Sequence, residues 1–374
     1  MAKLQKYNGY YCESEYEYAF ISFLEKEGWN YLLGNDIHRS TRREVLIEED
    51  LVKFLADTNS DLNNEEINQI VDMVRLVGAE NDFATLHKVY GWMIDGVQFT
   101  PQSGVPRMIS LISFNGSDTE ANIFRVVNQF TVEYMNNGQK VNRRPDILLY
   151  VNGMPLCIIE LKNPANASAT IYDAWEQINA RYWRDIPHLL HYCPLACVSD
   201  GVKTRLGTVR TPYEHFYAWR RVNDGDKVST LPFEETECMI KGVYSPERFL
   251  EIFRDYIYFQ DSIYDNEERE IVCRYPQFFA TKLLKQSIIK SVLEKSGKGG
   301  TYFGATGCGK TYTMVFLARQ LSLRCTDIPQ IGSPTIIMIV DRDDLQKQGA
   351  KLFTKSKEFL NLGQVSVVKN RHQL

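Results

Sequence analysis

Two apolar runs, Asp146-Ile147-Leu148-Leu149-Tyr150-Val151 and Leu156-Cys157-Ile158-Ile159-Glu160-Leu161, stand on either side of Asn152-Gly153. Asn-Gly supplies the two positive-φ residues of a tight hairpin turn, so this stretch is read as a buried antiparallel hairpin. Pro155 has no N–H and must sit where the ladder needs no donor. Strand side chains alternate, which puts Glu160 and Lys162 on one face and lets the hairpin bring Asp146 opposite Glu160. Parity then makes a demand. Same-face partners across an antiparallel pair have numbers of even sum, whereas a strict Asn152-Gly153 turn pairs Val151 with Met154, an odd sum. A three-residue loop or a bulge is therefore expected, with Gly153 or its neighbour at positive φ.

Around the hairpin the chain alternates helix and strand. Tyr16, Phe20, Phe23 and Leu24 recur at three- and four-residue steps until Gly28, which predicts a helix over Glu13 to Glu27. Residues 40–97 read as further helices. Strand-like runs begin near Ala121, at 122–127 and 130–134. A helix is expected over Ile171 to Trp183 and a strand at Leu195 to Val198, the pattern of an α/β fold. With 374 residues, 44% of them hydrophobic, the chain can bury more than one core. Eight scattered cysteines without a C-x-x-C pair indicate reduced thiols. No run reaches the roughly 18 apolar residues of a membrane span, and the start carries no secretion signal, so a cytoplasmic location is expected.

The net charge of −4 hides an asymmetry: residues 271–374 carry 16 Lys+Arg and 6 Asp+Glu, leaving 27 and 41 in residues 1–270. These are electrostatically different bodies, +10 and −14. The acidic stretch Asp261 to Glu270 is the candidate boundary, giving domains 1–260 and 261–374.

In the second body, Gly304-Ala305-Thr306-Gly307-Cys308-Gly309-Lys310-Thr311 fits G-x-x-x-x-G-K-[ST] between a short apolar run, Thr301 to Phe303, and a helical run, Tyr312 to Leu321. Gly307 and Gly309 let backbone N–H groups turn inward to cradle an anion, Lys310 supplies a cation for the β/γ-phosphates, and the Thr311 hydroxyl can ligate Mg²⁺. A nucleoside triphosphate, ATP, is the expected guest. Pro334 to Val340 reads as a parallel strand buried on both faces. No later strand supplies the acid that holds Mg²⁺ in such ATPases. Truncation is the preferred explanation, and no hydrolysis is expected of these residues alone.

Asp146, Glu160 and Lys162 are the second constellation. Phosphodiester cleavage needs a hard cation held by carboxylates and a fixed positive charge near the attacking oxygen. Asp146 and Glu160 would hold Mg²⁺, Lys162 would position the nucleophilic water, and Glu17 on the first helix is available as a third carboxylate. Lysines 282, 285, 290, 295 and 298 suit either a solvated face or a phosphate-tracking stripe. His188, His191 and Cys193 lack tetrahedral spacing and are assigned no zinc. Asn166-Ala167-Ser168 fits a glycosylation sequon and is given no role.

Taken together, Glu17 with Gly28-Trp29, Arg144-Pro145-Asp146, Glu160-Leu161-Lys162-Asn163-Pro164, Ser199-Asp200-Gly201, Arg274-Tyr275-Pro276-Gln277, Gly304 to Thr311 and Val340 to Leu345 resemble the restriction (motor) subunit of type I restriction-modification enzymes. The resemblance covers nearly the whole chain. It implies a PD-(D/E)xK nuclease-like mixed sheet flanked by helices, followed by a truncated RecA-like parallel α/β domain with a P-loop. It implies a Mg²⁺-dependent endonuclease acting on double-stranded DNA, coupled to ATP-dependent translocation and working with methylation and specificity subunits. Asp146, Glu160 and Lys162 become the nuclease centre, Gln277 an adenine reader, and Lys310 and Thr311 servants of ATP and Mg²⁺. A DEAH-type box and a second RecA-like domain would lie beyond Leu374. The family also places Gln-x-x-x-Tyr after the nuclease lysine. Here Gln177 fits, but Tyr182 comes one residue late, and a regular helix would turn it about 100° off that face. Tyr182 therefore receives no role. Alternatives within the enzyme class are a repair-type helicase-nuclease and a type III restriction subunit, which domain order disfavours; from a different class comes a docking module, a degenerate nuclease fold that binds a methyltransferase partner and ATP without doing chemistry.

Overall fold

The computed structural model describes residues 13–78, 81–114, 120–163, 170–231, 234–260, 268–339, 343–361 and 365–368. The chain divides into two compact units, residues 1–254 and 255–374. Pro164, the sequon at 166–168, most of the acidic stretch at 261–267 and Val340-Asp341-Arg342 lie outside the described residues.

Unit 1 begins with α1 (Glu13–Lys26), which ends at Gly28 in a positive-φ turn and leads into β1 (Asn30–Leu33). Three helices follow, α2 (Glu48–Thr58), α3 (Asn64–Arg75) and α4 (Asp82–Asp95), with Asn63 and Asn81 side chains capping the last two. A short hairpin, β2 (Val97–Phe99) and β3 (Arg107–Ile109), precedes β4 (Phe124–Asn128), and a second one, β5 (Val132–Asn136) and β6 (Gln139–Arg143), follows it. Next come β7 (Ile147–Val151) and β8 (Met154–Leu161). One continuous helical segment then contains α5 (Ile171–Glu176), a π-helical turn (Gln177–Tyr182) and α6 (Trp183–Asp185). The unit closes with α7 (Pro187–Leu190), β9 (Leu195–Ser199), β10 (Thr204–Thr208), α8 (Glu234–Val243) and α9 (Pro246–Asp255).

Six strands form one mixed sheet in the order β1-β4-β7-β8-β9-β10, with β1/β4 and β8/β9 parallel and the other pairs antiparallel. Every residue of β7 and β8 is buried, as near-continuous apolar runs at the centre of a covered sheet must be. Helix α5 lies against β8 and β9, and α1 against β1 and β4.

The hairpin keeps its two-residue turn, with Asn152 at φ 49° and Gly153 at φ 77°. Its ladder pairs Val151 with Met154 and Tyr150 with Pro155, then shifts and pairs Leu149 with Cys157, Leu148 with Ile158 and Ile147 with Ile159. This is the expected bulge. Leu156 is the extra residue, and the even register beyond it carries Asp146 across from Glu160.

Unit 2 has an antiparallel pair, β11 (Ile257–Gln260) and β12 (Arg269–Val272), then α10 (Tyr275–Leu293), α11 (Lys310–Leu323) and α12 (Asp343–Lys355). The Tyr256 ring packs against Phe278 and Phe316, and Leu360 closes on Val315 and Ala318. The expected strands at 301–303 and 334–339 are not formed, and the parallel sheet they imply is absent among the described residues. Phe303 is 91% exposed and Ile339 90% exposed, and neither segment meets a ladder neighbour among the described residues. A strand exists only where a second backbone answers its N–H and C=O groups, and apolar composition cannot supply that partner.

Candidate functional site

The first site lies at the end of the two central strands of unit 1. Asp146 immediately precedes β7, Glu160 is the penultimate residue of β8, and Lys162 follows β8, its backbone N–H donating to Ser199 O at 2.8 Å. Asp146 accepts from the Leu161 N–H at 2.7 Å, and the Asp146 N–H reaches Glu160 Oε1 at 3.4 Å. Lys162 Nζ donates to Gln177 Oε1 at 3.0 Å, and Gln177 Nε2 donates to Glu160 Oε2 at 2.8 Å. Asp146, Glu160, Lys162 and Gln177 thus form one hydrogen-bonded group.

A fifth residue joins them, and it corrects the reading that left Tyr182 without a role. The Tyr182 hydroxyl donates to Glu160 Oε1 at 2.8 Å and accepts from Gln177 Nε2 at 2.7 Å. The segment from Gln177 to Tyr182 is a π-helical turn, whose wider winding returns side chains at i and i+5 to one face. The extra residue that would have rotated Tyr182 away in a regular helix is absorbed by that turn. A five-residue spacing of two polar residues is the one signal in the sequence that points to it.

Glu160 is fully buried. Burial first, and the neighbouring Asp146 charge second, push its carboxyl pKa well above the usual range, while the Lys162 ammonium pulls the other way. Burial and the Glu160 charge likewise raise the Tyr182 phenol well above its ordinary value. The Asp146 and Glu160 carboxyls are within hydrogen-bonding reach of each other. Two carboxyls in contact, offering only oxygen donors in a place where negative charge is penalised, suit a hard divalent cation such as Mg²⁺.

Glu17 is buried on α1, and its Oε1 accepts from Asn128 Nδ2 at 2.6 Å and Gln129 Nε2 at 3.2 Å. Among the described residues no three His, Cys, Asp or Glu side chains come together as a metal set, so Glu17 is not grouped with the acid pair. His191 pairs with Asp82 at 2.9 Å, and the buried His188 Nε2 meets no hydrogen-bond partner among the described residues.

The second site is the loop before α11 in unit 2. Gly307 and Gly309 both sit at φ 79°, and Gly309 caps α11 in the left-handed region. Its positive φ strains any L side chain, and a Cβ at Gly309 would also displace the Gln277 amide from its place against the loop. Lys310 Nζ donates to Gly304 O at 2.8 Å and Ala305 O at 2.9 Å, and half-buried Thr311 follows it as the second residue of α11. Gln277 is buried. Its Oε1 accepts from the Arg274 N–H at 2.8 Å and its Nε2 donates to Gly309 O at 3.2 Å, so its amide ties α10 to the loop.

Residues 10–215 match the family described as Type I restriction enzyme R protein N terminus, and residues 276–374 match the SWI2/SNF2 ATPase family. The chain is 28% identical over 361 residues to the type I restriction enzyme HindI endonuclease subunit of Haemophilus influenzae, covering 93% of this chain and 33% of that protein. It is 26% identical over 238 residues to the type I restriction enzyme SauCOLORF180P endonuclease subunit of Staphylococcus aureus, covering 63% and 22%. The chain spans about a third or less of the length of these relatives. No helix among the described residues is long and apolar enough to cross a membrane.

Proposed function

Since the chain belongs to the family of type I restriction enzyme R proteins, matched through their N terminus, we propose that unit 1 is a Mg²⁺-dependent endonuclease centre of the PD-(D/E)xK kind, acting on double-stranded DNA. The observation that carries this reading is the convergence of Asp146, Glu160, Lys162 and Gln177 in one hydrogen-bonded group at the end of a buried hairpin.

Asp146 and Glu160 would hold the metal, which supplies Lewis-acid polarisation of the scissile phosphate and a more acidic water. The protein's own groups do the rest. Lys162, steadied by Gln177 Oε1, places a positive charge where a water can be oriented and the developing phosphorane charge offset. Gln177 binds Lys162 and Glu160 at once, and Tyr182 fixes Glu160 Oε1, so that the acid and the amine keep their separation. These bonds hold the acids and the amine in one fixed arrangement before any ligand arrives.

Gly304 to Thr311 would bind ATP, with Lys310 leaving its loop carbonyls for the β/γ-phosphates, Thr311 reaching Mg²⁺, and Gln277 turning toward adenine. In the full-length subunit ATP hydrolysis would drive DNA translocation, with methylation and sequence reading assigned to separate modification and specificity subunits. The lysines of α10 would serve the DNA path.

The test is Mg²⁺-dependent nicking of supercoiled plasmid by the full-length subunit in its complex, with purified variants. Lys162→Ala and Asp146→Ala are expected to lower the nicking rate by roughly 10²–10³-fold with circular dichroism unchanged. In Lys310→Ala, ATP binding should fall by about tenfold or more while Mg²⁺ still raises the melting temperature. Full nicking by Lys162→Ala would leave an ATP-binding docking module as the better description.

A further inference from the structure

Residues 1–270 carry an excess of acid, yet one stretch of them is the reverse: residues 135–144 hold Lys140, Arg143 and Arg144 and no Asp or Glu. This stretch is the outer end of β5, its turn, β6 and the residue after it. The β5–β6 pair forms a two-stranded sheet of its own beside the six-stranded one, and it closes in a tight turn with Asn137 at φ 48° and Gly138 at φ 78°. Residues 135–140 are all exposed. Successive strand residues point to opposite faces, so exposure of every one of them means that both faces of the outer ribbon stand in solvent. The inner end is fixed instead. Val132 and Tyr134 are buried, and the Arg143 guanidinium lies 5.3 Å from the centre of the Tyr134 ring.

Two connections place that inner end at the acid pair. Asp146 follows Arg143 by three residues, at most about 11 Å of chain. Across space, Arg143 Nε donates to Asp185 Oδ2 at 2.8 Å, and Asp185 lies one helical turn beyond Tyr182, whose hydroxyl holds Glu160. Positive charge accumulates here. Arg184 Nε donates to Asp185 Oδ1 at 2.7 Å, so two guanidiniums share one carboxylate. Arg144 is exposed and pairs with no acid among the described residues. The same holds for Arg42, whose carbonyl accepts from the Glu133 N–H at 2.9 Å alongside β5. Further out, Lys140 meets Glu133 at 3.1 Å and keeps 71% of its side chain exposed.

A ribbon with amides and a lysine toward its tip and surplus arginines at its foot is complementary to a grooved polyanion. Strands of five residues are roughly 17 Å long, and the major groove of B-DNA, about 12 Å wide and 8.5 Å deep, admits a two-stranded ribbon. Cations and side-chain amides such as those of Asn136, Asn137 and Gln139 suit phosphate and sugar contacts, which fix the register of a protein on duplex DNA without reading sequence.

We propose that the β5–β6 ribbon is a duplex-gripping arm: it lies in a groove of the DNA, Lys140 and Arg144 bind phosphates, and the scissile phosphate is thereby set against Asp146 and Glu160. This rests on the nuclease reading above. Lys140 and Arg144 are substrate-positioning residues, and the chemistry stays with Asp146, Glu160 and Lys162.

The experiment measures binding of a short labelled duplex to the full-length subunit across a salt series, without divalent metal. Each phosphate contact adds close to one unit to the slope of log affinity against log salt, whatever else in the subunit holds DNA. Lys140→Gln combined with Arg144→Gln should therefore reduce the slope by about two and weaken duplex binding by roughly tenfold or more. Lys140→Arg combined with Arg144→Lys should keep both at the wild-type value. With Mg²⁺, the double Gln variant should need more plasmid for half-maximal nicking while the maximal rate moves by less than about twofold. A wild-type slope in the double Gln variant, the same loss when the two cations are merely exchanged, or an equal loss for a single strand, which has no groove, would overturn the arm. Lys162→Ala separates the two ideas: if that variant still cuts with Mg²⁺ the nuclease reading falls, whereas the salt slopes judge the ribbon by binding alone.

Discussion

The two candidate sites hold their polar groups in opposite ways. In unit 1 the acid pair is built at the end of strands whose every residue is buried, and each polar atom described there is bonded to another side chain or to ladder backbone. In unit 2 the lysine and the glycines lie in a loop that is half-buried to exposed, and Lys310 rests on the carbonyls of its own turn. The first site is a product of tertiary packing and has its shape without a ligand. The second is held by local φ angles and by backbone contacts that a phosphate can replace. Buried networks resist rearrangement because any unpaired member costs desolvation energy, whereas an exposed loop can exchange partners with water or ligand at little cost.

Substitutions at matched positions test this contrast. The largest effect is expected at Gly153, where an added Cβ would collide with the backbone of Ile47 at a positive-φ position. Gly153→Ala should destabilise unit 1 by about 3 kcal/mol or more, read as a fall in its melting transition, with the ATP loop untouched. Next in size is a pH effect. Burial, with smaller contributions from the Arg43 and His191 charges, lowers the His188 pKa to about 4 from an ordinary 6.5. The unfolded chain therefore takes up a proton that the folded protein refuses. Stability is full above about pH 6.5 and is lost on acidification toward about pH 4, by up to about 3 kcal/mol. His188→Leu should flatten the slope in that window when urea midpoints are measured across it.

Gly309→Ala should cost about 2 kcal/mol, felt mainly as at least tenfold weaker binding of a fluorescent ATP analogue, because both its φ and the Gln277 amide oppose a side chain. If it instead destabilised the protein as much as Gly153→Ala, the distinction between a packed site and a ligand-shaped loop would collapse. The smallest change expected is in Tyr182→Phe, which removes one hydroxyl from the network around Glu160. About 1 kcal/mol, or roughly a fivefold slower nicking rate, is anticipated, with Tyr182→Leu more severe because the ring is also lost from the core.

Much of unit 1 could be read in advance. Asn152-Gly153 between apolar runs implied the hairpin, and the even-sum condition on Asp146 and Glu160 implied the bulge that Leu156 provides. The helix over Ile171 to Trp183 was legible from its periodicity, but the π turn inside it was not, and Tyr182 was misplaced for that reason alone. Strand β1, the β6 half of the second hairpin and the pairing of β1 with β4 carry too little alternation over four or five residues to be seen beforehand. In unit 2 the same reasoning overreached at 301–303 and 334–339, where apolar content was taken for strands that have no ladder partner among the described residues.

What the order of residues settled by itself is whatever acts over a few neighbours: the Asn-Gly turn, the parity of side chains along β8, the helix periods, and the glycines that free the phosphate loop. What only the folded chain decided is which of these meet. Glu160 and Lys162 acquire Gln177 and Tyr182 because a π turn against β8 brings them there, and Glu17 is claimed by Asn128 and Gln129 because α1 packs on β4. Local conformational preference is a property of adjacent dihedral angles. The meeting of distant side chains depends instead on how whole elements pack, and a single added residue in one helical turn is enough to change which of them face one another.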